Sequence, residues 1–124
     1  MSATFTENDL RNFQGTSQWF RHWTRALLYT EGIHYLEQNG AGWLVDAIAS
    51  YQIDPRLNKG DLKDFQLWEL KVKEGKGVLT CKADSGCKPV ITQKFDFTDF
   101  PLAEIKFYVE AGEAGRVLML PSER

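Results

Sequence analysis

The stretch Gly42-Trp43-Leu44-Val45-Asp46-Ala47-Ile48-Ala49-Ser50-Tyr51 decides how this chain folds. Leu44, Ala47, Ile48 and Tyr51 recur at the spacing of one helical face, and Trp43, Val45 and Ala49 make the flanks apolar as well. A helix apolar nearly all round is buried on more than one side, so the rest of the chain must pack against it. One carboxylate, Asp46, sits in its middle.

Working outward toward the N-terminus, Leu10 and Phe13 predict a short helix that begins near Asn8 or Asp9 and stops at Gly15. Thr16-Ser17 then reads as the cap of a second helix running to about Tyr29. Its apolar stripe is Phe20, Trp23, Leu27 and Leu28, with Trp19 beside it and Arg21 and Arg25 one turn apart on another side. Ile33, Leu36 and Glu37 suggest a further short helix before the turn signal Asn39-Gly40. The central helix must end before Asp54-Pro55, because the residue preceding proline is forced out of helical geometry. Residues 54–64, rich in Asp, Asn, Lys and Gly, read as a surface loop.

Beyond Phe65 the period falls to two. Gln66, Trp68, Leu70 and Val72 alternate with Glu69, Lys71 and Lys73, the pattern of a strand wet on one face. Gly75-Lys76-Gly77 turns the chain into a second strand, Val78 to Ala83; a third runs from Val90 to Phe97, with Ile91, Phe95 and Phe97 on one face. Residues 102–110 admit two readings. Ile105, Phe107 and Val109 alternate with charge as in a strand, whereas Leu102, Ile105 and Val109 behind Pro101 fit a helix; the β-branched and aromatic content favours the strand. Val117 to Leu120 closes the chain as a last strand. The expected architecture is α+β: one domain over residues 1–124, with a helical layer (about 8–53) on one face of a four- to five-stranded, mainly antiparallel meander sheet (about 65–120). The expected core is Phe20, Trp23, Leu27, Leu44, Ala47, Ile48 and Tyr51 from the helices, and Trp68, Leu70, Val72, Ile91, Phe95 and Phe97 from the sheet.

A length of 124 residues, 43% hydrophobic and 26% charged, suits one folded domain and argues against disorder. A net charge of −2 gives no basic footprint for nucleic acid. No signal-peptide pattern opens the sequence, and no apolar run reaches the roughly 18 residues needed to span a bilayer. The expectation is a cytoplasmic protein whose two cysteines, Cys81 and Cys87, are reduced; their spacing without neighbouring ligands is a weak metal signal, and a redox-sensitive disulfide between them is the alternative.

Asp46 is the sharpest candidate for chemistry. A carboxylate in an apolar helix must be paired, hydrogen-bonded or open to a cleft. It serves either as an acid/base group with His34 or His22, or as an architectural group bonded to a backbone N–H or to Arg21 or Arg25. The two histidines have no metal-ligand spacing, so neither a metal nor another cofactor is expected. No phosphate loop or nucleophile elbow is present. Trp19, Arg21, Trp23 and Arg25 interleave aromatic and guanidinium groups, which makes Trp19, Arg21 and Arg25 candidate binding residues and the Trp19–Arg25 helix a candidate platform for single-stranded nucleic acid.

Four stretches carry a resemblance: Tyr29-Thr30-Glu31-Gly32 leading into Gly42 to Ser50, Phe65-Gln66-Leu67-Trp68, Thr98-Asp99-Phe100-Pro101-Leu102, and Leu120-Pro121-Ser122-Glu123. In these the chain resembles a small bacterial family of unknown function associated with plasmids, phages and other mobile elements. The resemblance implies an intracellular bacterial or phage origin and carries no catalytic motif. With aromatics at 13%, of the kind enriched at interfaces, the favoured expectation is a small non-catalytic protein-binding module, an accessory or inhibitor protein of a mobile element, able also to dimerise through a sheet edge. An enzyme or small-ligand binder using Asp46 with His34 is the second reading. Nucleic-acid binding is the third.

Overall fold

A computed structural model describes residues 5–124. Helix α1 (Glu7–Arg11) opens on a capping box, in which Thr6 Oγ1 accepts from Asp9 N–H and Asp9 Oδ2 accepts from Thr6 N–H. Strands β1 (Phe20–Arg21) and β2 (Leu28–Tyr29) form a short hairpin. Helix α2 (Glu31–Leu36) follows, then a kink over Glu37–Ala41 in which Gly40 takes φ 98°, and then α3 (Gly42–Ser50), the main helix. Short 3₁₀ turns at Tyr51–Ile53, Pro55–Leu57 and Gly60–Lys63 lead to β3 (Phe65–Lys73), β4 (Lys76–Lys82), β5 (Ile91–Phe95), β6 (Glu104–Gly112) and β7 (Gly115–Met119).

The expected helix from Thr16 to Tyr29 does not form, so there is no N-terminal helical layer. Its residues instead extend the sheet, which among the described residues has seven strands in the order β1-β2-β7-β6-β3-β4-β5. The sheet is mixed: β2 runs parallel to β7, with Leu28 opposite Val117, and the other neighbours are antiparallel. Nor is the order a meander. After β3-β4-β5 the chain crosses back through Phe97–Ala103 and lays β6 beside β3, a Greek-key return. Backbone bonds from Thr98 N–H to Gly75 O and from Val72 N–H to Ala103 O, 2.7 Å each, fix that crossing. Residues 104–112 are a strand, since Ile105, Phe107 and Val109 are buried while Glu104 and Lys106 are exposed.

Leu44, Val45, Ile48 and Ala49 of α3 are buried against the inner sheet face, which supplies Trp68, Leu70, Leu79, Phe107 and Leu118. The end of α3 is locked to the sheet by polar bonds: Tyr51 Oη donates to Gln93 Oε1 at 2.7 Å, and Gln52 and Gln66 exchange amide bonds at 3.0 and 3.1 Å. Arg116 of β7 reaches the same point, donating to Gln52 Oε1, Leu57 O and Asn58 Oδ1. Leu57 and Leu62 are buried, so the loop of residues 54–64 belongs partly to the core. Two expected core residues are on the surface: Trp23 is 75% exposed and Phe97 81%. No helix of the described residues is long and apolar enough to cross a membrane.

Candidate functional site

The β1–β2 hairpin has a four-residue loop, Trp23–Ala26, closed by His22 N–H to Leu27 O (3.0 Å) and Arg25 N–H to His22 O (2.8 Å). Strand alternation turns Phe20 and His22 toward the helices. His22 is 1% exposed. Thr24 N–H donates to its Nδ1 (3.2 Å), so Nδ1 carries the lone pair and Nε2–H donates to Asp46 Oδ1 at 2.7 Å. The Thr24 hydroxyl also lies 2.8 Å from Nδ1 and accepts from Ala26 N–H.

Asp46 Oδ1 takes a second bond, from the indole N–H of Trp23 at 3.0 Å. The carboxylate stands on α3 with 47% of its side chain exposed, and it joins the buried imidazole to an indole lying open to solvent. Its partners are therefore His22 and Trp23; Arg21, Arg25 and His34, the other partners that the sequence allows, are not among them.

Beside this cluster, Tyr29 Oη donates to Glu37 Oε1 at 3.0 Å. Burial first, then the bond to Glu37 and the charges of Glu37 and Asp46, push the Tyr29 hydroxyl up to about 12. His34 stacks on Phe20 (ring centroids 4.0 Å, planes 9° apart) and leaves its buried Nδ1 without a hydrogen bond, 3.9 Å from Glu37. Asp46 and His34 thus engage different neighbours with no bond between them, whereas Asp46 and His22, the other pairing that the sequence allows, do meet.

The chain Asp46–His22–Thr24 has the order of a carboxylate–imidazole–hydroxyl relay, but its hydroxyl is occupied by a local turn. None of five surface clefts among the described residues is lined by Asp46, His22 or Thr24. No group of three or more His, Cys, Asp or Glu side chains among the described residues is arranged to hold a metal. Cys81 is buried on β4, which pushes its thiol up to about 12, and Cys87 is exposed in the following loop; both are free.

The interleaved Trp/Arg helix does not exist either. Trp19 lines a groove with Val117 and Met119 on the outer sheet face, whereas Trp23 stands on the helix side beside Asp46. Arg21 is exposed on β1, and Arg25 occupies the hairpin loop with φ 65°. Sequence reasoning missed His22, Trp23, Tyr29 and Glu37 as one cluster. The only signal is the period-two run Phe20-Arg21-His22, masked by an equally good helical stripe.

Fold and site together define an α+β domain whose exposed chemistry is an edge hairpin carrying a fixed indole. Residues 4–124 match a family described as "Family of unknown function (DUF6876)", and the chain belongs to that family. Its fold is similar to that in "Crystal structure of the protein of unknown function from Enterococcus faecalis", with a TM-score of 0.58 and 15% identity, covering 86% of this chain and 98% of that one. No curated protein matches the chain.

Proposed function

We propose that this is a small, cytoplasmic, non-catalytic protein-binding module, anchored on a partner by Trp23. The observation that carries this reading is a combination: the Trp23 ring is 75% exposed, yet its N–H is held by a carboxylate that is itself held by a buried histidine. Exposed tryptophan supplies large contact area, and fixing its rotamer beforehand removes an ordering cost from association. Arg25 shares the loop and favours an acidic rim on the partner, while Trp19 and Arg21 continue the contact around the sheet edge. The resemblance to mobile-element proteins supports an accessory or inhibitory role for the complex.

Comparative co-purification from the native host tests this, using wild type, Trp23→Ala and Asp46→Ala. Trp23→Ala should keep the melting temperature and lose a stoichiometric partner. Asp46→Ala should weaken the complex and cost the fold about 1–3 kcal/mol, because it leaves the His22 N–H unpaired in the interior. Identical partner sets from wild type and Trp23→Ala would overturn the proposal.

A further inference from the structure

At the N-terminal end of α3 lies a cleft of about 230 Å³ lined by Trp43, Phe95, Phe97, Thr98 and Asp99. Two of its walls are steeply inclined aromatic rings: Trp43 and Phe95 meet at 5.1 Å with planes 68° apart. Behind them, outside the lining, the buried Phe100 packs on Trp43. Phe97 is 81% exposed, a large apolar area left in water beside an open cleft.

Among the described residues the only charged side chain in the lining is Asp99, which is exposed and takes part in no ion pair with them. The Thr98 hydroxyl is engaged by Phe100 N–H at 3.1 Å. The nearby lysines project elsewhere. A Cβ on Gly77 would meet Leu70, Thr98 and Phe95, so Lys76, which alternates with Gly77, and Lys94, which alternates with Phe95, belong to the opposite sheet face.

We propose that this cleft binds a quaternary ammonium group. Aromatic walls with a carboxylate at the rim attract a cation that also carries apolar surface. The steep angle between Trp43 and Phe95 favours a rounded tetra-alkyl head, which presents methyl groups to both rings at once, over a flat guanidinium, which stacks on one ring face at a time.

The test is heteronuclear NMR titration of the protein with tetramethylammonium chloride, with sodium chloride matched for ionic strength and tert-butanol as the neutral isostere. The expected result is a saturable shift of the Trp43 indole signal with tetramethylammonium alone. Phe97→Ala should weaken binding about tenfold, Asp99→Asn severalfold, and Phe97→Tyr, which keeps a ring, should retain it. Both altered positions are exposed, so melting temperatures should hold. An equal response to tert-butanol, no saturable shift, or unchanged affinity in Phe97→Ala and Asp99→Asn would overturn the assignment.

Discussion

Tyr29 shows how the site and the stability of the fold are coupled at the level of one residue. It is 6% exposed, donates to Glu37, and lies close enough to Asp46 to feel its charge. Its hydroxyl titrates near 12 in the folded protein against 10.0 as a free side chain. Because the folded pKa is the higher one, Tyr29 contributes stability that is fully present below pH 10 and is lost as pH rises through 12. Tyr29→Phe should therefore be less stable than wild type by about 1 kcal/mol at neutral pH, from the lost hydrogen bond. That difference should shrink and then reverse as pH climbs through the window. Cys81 shifts in the same direction in both proteins, so subtracting one melt from the other isolates the tyrosine. Parallel melting curves across the window would show that Tyr29 ionises freely and is not sealed between Glu37 and Asp46.

At the scale of the element, the β1–β2 hairpin is where sequence and structure part, and the cause is chemical. A turn is read from Gly, Asn, Asp or Pro, and Trp23-Thr24-Arg25-Ala26 has none. The left-handed position that those residues would mark is filled by Arg25, at φ 65°. Arg25→Gly should thus stabilise the protein by up to about 1 kcal/mol, relieved strain being partly offset by a more flexible unfolded chain. Arg25→Ala should stay within about 0.5 kcal/mol of wild type. Thermal melts that rank the glycine variant below the alanine variant would contradict a left-handed backbone at this position. The same reasoning explains what is legible elsewhere. β3 and β4 are joined by Glu74-Gly75, both at positive φ and one of them glycine, and their alternation is unopposed by any helical stripe. α3 is legible because an apolar run broken by one charge fits no half-wet strand. Thr16 does serve a helix start, but that of α2: its Oγ1 accepts from Glu31 N–H, while Ser17 and Gln18 donate to the Glu31 carboxylate, holding it below the usual carboxylate range. The site is legible only in part, since the sequence offers His22 and His34 alike as partners of Asp46. The choice of His22, with Trp23 beside it, is made only once the hairpin forms, across 24 residues.

On the scale of the whole molecule, two of the stretches that carry the family resemblance meet in space: the start of α2 and the C-terminal 3₁₀ turn, Pro121–Glu123. Glu123 is 8% exposed. Its carboxylate accepts from Thr30 Oγ1 (2.6 Å), Gly32 N–H (3.0 Å) and Leu120 N–H (3.1 Å), fastening the chain end to the start of α2 directly after the parallel strand β2. Gly32 leaves the room that this carboxylate occupies. A Cβ at that position would stand 2.5 Å from Glu123 Oε1 and 2.7 Å from Leu120 Cδ1. Gly32→Ala should cost about 1–3 kcal/mol by overpacking. Glu123→Ala should cost roughly 3 kcal/mol, since it strands buried donors. In Gly32→Ala/Glu123→Ala, however, removal of the carboxylate makes room for the methyl group, so the pair should lose less than the two single losses combined, by at least about 0.5–1 kcal/mol, a coupling on the order expected for residues in direct contact. Denaturant melts of the four proteins measure it. Additive losses would mean that the C-terminal turn does not sit against Gly32.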